Sequence, residues 1–192
     1  MLKQCTIVGE NHFWGEHSRI QLQWGSLPLD IVLKDHCEVF GSLVSIHHGK
    51  IIMDEWSKIG EGSIIYSVNK VVIGKDTAIA SGVTIVDNNF HPINPEDRRF
   101  MRHTPHNSQE RSPVYSSSAP IFIGQNVLIG SNSRICKGVT IGDNAIVGAC
   151  AVVTKDVPAN SIVVGNPARV VKQNIDLETK PLFPLTNPFF NE

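Results

Sequence analysis

Aliphatic residues recur at every sixth position through the second half of this chain. The residue after each of them is small and is usually glycine. The aliphatic positions are Ile123, Ile129, Ile135, Ile141, Val147 and Val153. A six-residue step rotates ~240° around an α-helix, which would scatter these side chains over three faces. Side chains of a β-strand alternate with a period of two, so the same step returns to one face. The pattern therefore predicts short strands.

A fixed six-residue period is typical of a solenoid in which each repeat forms one short flat face. Three such faces close a triangular coil of eighteen residues, with the aliphatic residue inside and the small residue at a corner. A second small or β-branched residue follows four positions after each aliphatic one: Val127, Ser133, Val139, Ala145, Ala151 and Val157. The six repeats from Ile123 to Pro158 therefore predict two whole coils of a parallel β-helix. An ordinary β-sandwich is the alternative, but its strands are not spaced at a constant six residues.

The same period continues in weaker form toward the N-terminus. Its predicted inward positions are Phe40, Ile46, Ile52, Ile59, Ile65, Ile73, Ile79 and Ile85. Fourteen residues separate Ile59 from Ile73, so a two-residue insertion must bulge at one corner between them.

The repeat stops over residues 87–120, which are polar and rich in proline, histidine and charged side chains. A segment of this length is usually functional or disordered, and here it is expected to leave the prism as one long extruded loop and return in phase. The chain is thus predicted to form a β-helix domain over 1–172, followed by an irregular tail over 173–192. Three phenylalanines of the tail need a surface to pack on, such as a neighbouring subunit: Phe183, Phe189 and Phe190.

Charge and composition narrow the function. Lys and Arg number 17 and Asp and Glu 18, giving a net charge of −1, whereas a nucleic-acid binder normally has a strong basic excess. No apolar run approaches the roughly 20 residues of a membrane span, and the N-terminus lacks the pattern of a secretion signal. The cysteines (Cys5, Cys37, Cys136 and Cys150) show no metal-binding or disulfide spacing. We therefore expect a cytoplasmic protein with reduced thiols that binds neither nucleic acid nor metal.

Three stretches resemble the hexapeptide-repeat acyltransferases: Asn-Phe-His-Pro at residues 89–92, the repeats of residues 123–158, and Gly-Asn-Pro-Ala-Arg at residues 165–169. The resemblance covers roughly residues 59–172 and is closest to sugar O-acetyltransferases such as the galactoside and maltose enzymes and their capsule-modifying relatives. It implies an all-β, left-handed parallel β-helix, although the general crossover rule favours right-handed connections. It also implies a homotrimer with active sites between neighbouring prisms, and acetyl-CoA as the co-substrate.

In that family the acetyl group passes directly from coenzyme A to an acceptor hydroxyl. The reaction needs a base to remove the hydroxyl proton, and histidine is suited to this near neutral pH. By its place in Asn-Phe-His-Pro, His91 resembles that base; a solvated loop histidine is the alternative. Asp87, Glu96 or a backbone carbonyl could orient its imidazole.

Residues of the acceptor site are less well defined by the sequence. The expected set is Asn69, Asn89, His103 and His106, although a solvated role is equally compatible with the two histidines. The acceptor-binding carboxylate of the galactoside enzymes corresponds to Val68 here, which disfavours a simple galactoside acceptor.

The resemblance also implies positions that bind coenzyme A. Carried over residue by residue, they are Ser131 at the acetyl end, Ala149, Thr154, Lys155, Arg169 and Lys172. Leu128 stands where many relatives have tryptophan, so the walls of the acetyl pocket are expected to differ. Cys136 and Cys150 lie within the repeat and are interpreted as small structural residues rather than nucleophiles.

The resulting hypothesis is an O-acetyltransferase acting on a sugar or surface-polysaccharide precursor. An N-acetyltransferase acting on a nucleotide-linked amino sugar is the alternative within the same class. A zinc-dependent carbonic anhydrase would need histidine ligands on neighbouring coils, yet no histidine follows His106. A non-catalytic scaffold would have no use for a phosphate-binding Gly-Asn-Pro-Ala-Arg segment or for a polar loop with His-Pro at its base.

Overall fold

The computed structural model describes residues 4–106 and 108–178, so the three phenylalanines of the tail lie outside the described residues. The described chain consists mainly of strands two to five residues long. These strands stack into three sheets, named here faces A, B and C, which close a triangular prism. The architecture is the predicted left-handed parallel β-helix.

Except at the C-terminal end, successive strands of the chain belong to successive faces, so each coil contributes one strand to each sheet. Face A contains β1 (Thr6–Ile7), β4 (Ile31–Leu33), β7 (Lys50–Met53), β10 (Lys70–Ile73), β13 (Ile121–Ile123) and β16 (Thr140–Ile141). Face B contains β2 (Phe13–Trp14), β5 (Glu38–Val39), β8 (Lys58–Ile59), β11 (Ala78–Ile79), β14 (Leu128–Ile129), β17 (Ile146–Val147), β19 (Ser161–Val164) and β20 (Arg169–Gln173). Face C contains β3 (Arg19–Gln23), β6 (Ser42–Ile46), β9 (Ile64–Ser67), β12 (Thr84–Val86), β15 (Arg134–Cys136) and β18 (Val152–Val153). All pairings between these strands are parallel except that of β19 with β20.

The six-residue period correctly identified the core of the C-terminal coils. The six aliphatic residues from Ile123 to Val153 are at most 2% exposed, and the small residues four positions on are at most 4% exposed. Ile73 pairs with Ile123, and Ile123 pairs with Ile141, so identical side chains stack along the prism axis. Burying each such side chain contributes about 1.5–3 kcal/mol.

The predicted phase is wrong in the N-terminal coils. Phe40 and Ile52 are only half-buried, whereas their neighbours Val39 and Met53 are completely buried and point inward. Val39 and the next inward residue, Leu43, are four residues apart rather than six. A constant six-residue period therefore does not hold in this coil.

The predicted insertion between Ile59 and Ile73 lies at Val68 and Asn69, between β9 and β10. This corner joins face C to face A. The segment that interrupts the repeat, residues 87–120, leaves the prism at the same corner one coil later.

The interrupting segment is not structureless. It contains helix α1 (Pro95–His103) and two short 3-10 turns, Gln109–Arg111 and Pro113–Tyr115. The Asn94 side chain caps α1 by accepting a hydrogen bond from the Glu96 backbone N–H, and proline at the first helical position suits a helix start. Backbone hydrogen bonds tie its two ends together, from Asn89 N–H to the Ser117 carbonyl and from Ala119 N–H to the Asp87 carbonyl.

The segment folds back over the outer side of face C in the N-terminal coils. The Phe90 ring meets the Tyr66 ring edge-on at 5.1 Å between centroids, and His47 Nε2 forms a hydrogen bond with Ser112 Oγ at 2.7 Å. Ile46 lies on this outer side rather than in the predicted inward position, and it is nevertheless 2% exposed. The outer side of face C is therefore covered in the N-terminal coils, whereas Arg134 in a later coil is exposed.

A buried carboxylate lies at the corner between faces C and A in an N-terminal coil. Asp30 ends the 3-10 turn Pro28–Asp30 and is fully buried. Its partners are the Leu27 backbone N–H, the Lys50 ammonium and the His48 imidazole. Burial alone would raise the pKa of Asp30, but these partners outweigh it, so its pKa lies below the ordinary value.

The C-terminal end of the prism is closed by a hairpin. Strand β20 turns back antiparallel to β19 after a cis peptide bond between Asn166 and Pro167. A short helix, α2 (Ile175–Glu178), follows. Among the described residues, none of the helices is long and apolar enough to cross a membrane.

Candidate functional site

Asp87 fastens the root of the extruded segment to the prism. Its fully buried carboxylate accepts hydrogen bonds from Ser67 Oγ at 2.7 Å, Val68 N–H at 3.0 Å and Asn69 N–H at 2.8 Å. Asn88 Nδ2 donates a fourth at 3.1 Å. The carboxylate therefore holds the corner insertion and the first residue of the segment as one unit.

His91 follows this root after a sharply defined backbone turn. Phe90 adopts a φ of 60°, its N–H donates to Asn88 Oδ1 at 2.8 Å, and its ring packs on Tyr66. The His91 N–H donates to the Asn89 carbonyl at 2.7 Å, and the proline that follows restricts the His91 backbone to extended geometry. The position of His91 is thus determined by contacts to the prism and not only by the loop.

The His91 side chain is exposed, and within the described ranges its imidazole has no hydrogen-bond partner. The two carboxylates expected from the sequence as orienting groups have other partners. Asp87 binds the corner insertion, and Glu96 forms an exposed ion pair with Arg99 at 3.6 Å. Both ring nitrogens of His91 are therefore available to a ligand.

A cavity of about 520 Å³ lies beside His91. It is lined by His91, Arg98, Met101, Arg102, His106 and Arg111. The structure thus brings together two of the predicted site residues, His91 and His106. His103 lies at the last position of α1, is exposed, and does not line this cavity.

A smaller cleft of about 270 Å³ lies at the segment's root, against face C. The predicted residue Asn89 lines it, together with Arg134 and Lys137. The sequence analysis did not identify these two cations. The strand register places them at the segment's root, because Val86 pairs with Cys136, which lies between Arg134 and Lys137 in the chain. Asn69 lies one coil earlier, where its backbone N–H is bound by Asp87.

Four of the predicted coenzyme A positions lie at the two corners that flank face C in the C-terminal coils. Ser131 and Ala149 follow β14 and β17 at the corner between faces B and C, and the neighbouring Cys150 N–H donates to the Ser131 carbonyl at 2.9 Å. Thr154 and Lys155 follow β18 at the opposite end of face C. Ala149, Thr154 and Lys155 are exposed.

The remaining two positions, Arg169 and Lys172, lie on β20 and are exposed. The segment before Arg169 continues face C beyond β18. Val152 N–H donates to the Gly165 carbonyl at 3.0 Å, and Ala168 N–H donates to the Val152 carbonyl at 2.8 Å. The C-terminal coils therefore collect the predicted cofactor positions around one end of the prism, while the three predicted histidines lie in the extruded segment.

The cysteines fall into two classes. Cys5 and Cys37 are buried, and burial raises the pKa of both thiols. Cys136 is half-buried at the end of β15, and Cys150 is exposed at a corner. No group of three metal-binding side chains occurs among the residues that the structure describes.

Comparisons with known proteins agree with this architecture. Residues 120–155 match the family model "Bacterial transferase hexapeptide (six repeats)". The galactoside O-acetyltransferase of Escherichia coli K12 is 41% identical over 103 residues, which cover 54% of this chain and 44% of that protein. The putative lipopolysaccharide biosynthesis O-acetyl transferase WbbJ of the same organism is 33% identical over 125 residues, which cover 65% of this chain and 61% of that protein. The matched segment thus spans less than two thirds of either relative.

Solved structures show the same fold at low sequence identity. The N-acyltransferase AntD of Bacillus cereus, in complex with dTDP and 3-hydroxybutyryl-CoA, aligns with a TM-score of 0.68 and 21% identity over 88% of this chain and 84% of its own. A hexapeptide-repeat acetyltransferase of Vibrio cholerae, complexed with acetyl coenzyme A, aligns with a TM-score of 0.59 and 20% identity over 88% of this chain and 72% of its own. The repeat match and the shared fold show that this chain carries the hexapeptide repeat of bacterial transferases in a β-helix similar to those of these acyltransferases.

Proposed function

We propose that the protein transfers an acetyl group from acetyl-CoA to a hydroxyl of a sugar or surface-polysaccharide precursor, acting in the cytoplasm as a homotrimer. The observation that carries this proposal is the place of His91. It lies at a root fastened to the prism, its imidazole is free of partners among the described residues, and it lines a cavity within the usual size range of small-molecule sites. The names of the galactoside enzyme and WbbJ support a sugar-related acceptor.

In the proposed mechanism, His91 accepts the proton of the acceptor hydroxyl while the oxygen attacks the carbonyl carbon of the thioester. The carbonyl oxygen becomes an oxyanion, and Ser131 or a backbone N–H at its corner would donate a hydrogen bond to it. The carbon–sulfur bond then breaks, the acetyl ester remains on the acceptor, and the imidazolium returns its proton to the coenzyme A thiolate. No acyl-enzyme is required, so neither Cys136 nor Cys150 takes part.

The C-terminal end of face C suits the phosphates of coenzyme A. Lys155 and Arg169 are exposed cations there, and neither has a carboxylate within ion-pairing distance among the described residues. Phosphate oxygens prefer such charged donors. Ala149 presents a small side chain at the adjoining corner, which allows a ligand to approach the backbone. Thr154 and Lys172 complete the proposed set.

For the acceptor we propose the cavity beside His91, with His106 in its wall and Asn89 and Asn69 near the segment's root. His103 lies outside the cavity and contributes less than the sequence suggested. Transfer to the amine of a nucleotide-linked amino sugar is the second candidate. The fold shared with AntD supports this candidate, which differs from the proposed O-acetyl transfer only in the acceptor.

The proposal is tested by offering acetyl-CoA with a panel of hexosides, acidic sugars and nucleotide-linked amino sugars, and identifying products by mass spectrometry. An O-acetylated sugar is expected, and an exclusively N-acetylated product would establish the second candidate instead. Titration calorimetry with coenzyme A separates both from a non-catalytic scaffold, which would show no binding.

The cofactor assignment makes a separate prediction. Lys155→Ala and Arg169→Ala should each raise the KM for acetyl-CoA about 10- to 100-fold, because each removes one charge-assisted hydrogen bond to phosphate. The KM for the acceptor should change little. Lys75→Ala, which removes an exposed lysine paired with Glu55 at the corner between faces A and B, is the matched control. A variant that weakened only acceptor binding would contradict the assignment.

A further inference from the structure

The cavity beside His91 has an unusual charge. Three arginines and two histidines contribute to its lining, and methionine is the remaining lining residue. Among the residues that the structure describes, no carboxylate lines it, although the whole chain has 17 Lys and Arg against 18 Asp and Glu. The positive charge is therefore concentrated at this place.

Helix α1 produces this concentration by its spacing. Met101 and Arg102 lie three and four positions after Arg98, so the three side chains share one face of the helix and line the cavity. Asp97 and Phe100 lie on the other side and line a different cleft. The helix thus directs Arg98 and Arg102 toward the cavity beside His91 and Asp97 toward the other cleft.

The three guanidinium groups have different surroundings. Arg111 donates to the carbonyls of Arg102 and Thr104, and Arg98 donates to the carbonyl of Ile93, so both help to build the cavity wall. The side chain of Arg102 has no hydrogen-bond or ion-pair partner in the described part of the chain. Arg102 is therefore available to bind a ligand, while Arg98 and Arg111 stabilise the cavity wall.

We propose that the acceptor is an anionic sugar, whose carboxylate or phosphate binds Arg102 while the hydroxyl to be acetylated faces His91. This inference rests on the proposed function, because it assumes that the acceptor occupies the cavity. Arg–carboxylate and Arg–phosphate pairs are charge-assisted and can be bidentate. A neutral galactoside would use none of this charge.

The experiment compares acceptors that share one ring. The intact protein is assayed with methyl galactoside (neutral), methyl galacturonoside (carboxylate) and galactose 1-phosphate (phosphate). At least one anionic acceptor should show a kcat/KM at least tenfold above that of the neutral one, and 0.5 M salt should reduce the ratio. Whichever of the two anionic sugars has the higher kcat/KM shows whether the site prefers a carboxylate or a phosphate.

Arg102→Gln should bring this ratio close to one. Arg99→Gln is the control, since Arg99 lies on the same helix, pairs with Glu96 and does not line the cavity. Equal kcat/KM values for neutral and anionic acceptors in the wild type would overturn the proposal while leaving the acetyltransferase function intact. A preference that survives in Arg102→Gln would overturn it as well.

Direct binding keeps the two proposals separable. Titration calorimetry of the same three sugars, without acetyl-CoA, should show tighter binding of an anionic one, and the difference should be lost in Arg102→Gln. If that binding is observed but no sugar is acetylated, the acetyltransferase proposal fails and the anion site stands.

Discussion

Asp87→Asn tests whether the extruded segment is held to the prism as the structure indicates. Oδ1 of Asp87 accepts from the Val68 N–H and from Asn88 Nδ2, and Oδ2 accepts from Ser67 Oγ and from the Asn69 N–H. Asparagine replaces one of these oxygens by an NH₂ group. Whichever way the amide is oriented, the backbone N–H of Val68 or of Asn69, each in a part-buried hydrogen bond, loses its acceptor and faces another donor.

The magnitude follows from these contacts. A buried N–H without an acceptor costs about 1–3 kcal/mol, and the remaining bonds weaken because they lose the charge of their acceptor. Removing a buried charge offsets part of this. We therefore expect the free energy of unfolding to fall by about 2–4 kcal/mol, a large share of the roughly 5–15 kcal/mol of a typical domain.

Urea unfolding followed by circular dichroism, at a fixed protein concentration, measures this change. Asp143→Asn is the matched control, because Asp143 also accepts a backbone N–H at a corner, from Gln125, but is exposed. Its amide can keep the accepting oxygen in place and turn the NH₂ group to water, so its midpoint should move little. Limited trypsin digestion should also cut within residues 87–120 faster in Asp87→Asn. Equal midpoints for the two variants would refute the role assigned to Asp87.

Two further predictions concern buried groups. Cys37 is completely buried, and that burial raises the pKa of its thiol. A thiol reagent should therefore modify the exposed Cys150 in the native protein and Cys37 only in urea, with the modified sites identified by peptide mass spectrometry. Equal modification rates of Cys37 and Cys150 in the native protein would contradict this packing. The pKa of Asp30 is lowered in the folded state, so its stabilising contribution is present above about pH 4 and is lost as the pH falls further through the folded-state value. Between pH 5 and pH 3, the urea midpoint of Asp30→Asn should therefore fall less than that of the wild type. Equal decreases in the two proteins would show that Asp30 is not the cause of the loss of stability.

The sequence predicted the fold where one physical constraint determines the pattern. From Ile123 to Val153 each coil has eighteen residues and each face takes six, so inward side chains recur at a constant interval. Near Phe40 and Ile52 the corners differ in length while the strands still pair in register. Periodicity then fails to identify the inward residues, because strand pairing and not residue count determines them.

The candidate site was only partly predictable for a related reason. The motif around His91 identified the root of the segment, and the register placed Ser131 and Lys155 beside face C. The cavity, however, depends on α1, which lies in a stretch that reads as polar loop. Its start could have been found, because Asn94 is followed by proline and two acidic residues, a typical helix N-terminus. That start places Arg98 and Arg102 on one face.

The most direct test of the central claim is the turnover of His91→Ala with acetyl-CoA and an acceptor identified by the panel. The side chain is exposed and makes no hydrogen bond within the described residues, so its removal should leave folding and coenzyme A affinity nearly unchanged. The account predicts that kcat falls by about 10²–10⁴, the usual contribution of general-base catalysis. His103→Ala, which removes an exposed histidine outside the cavity, should retain most activity. A folded His91→Ala variant that binds coenzyme A and turns over at a near-normal rate would contradict the proposed mechanism.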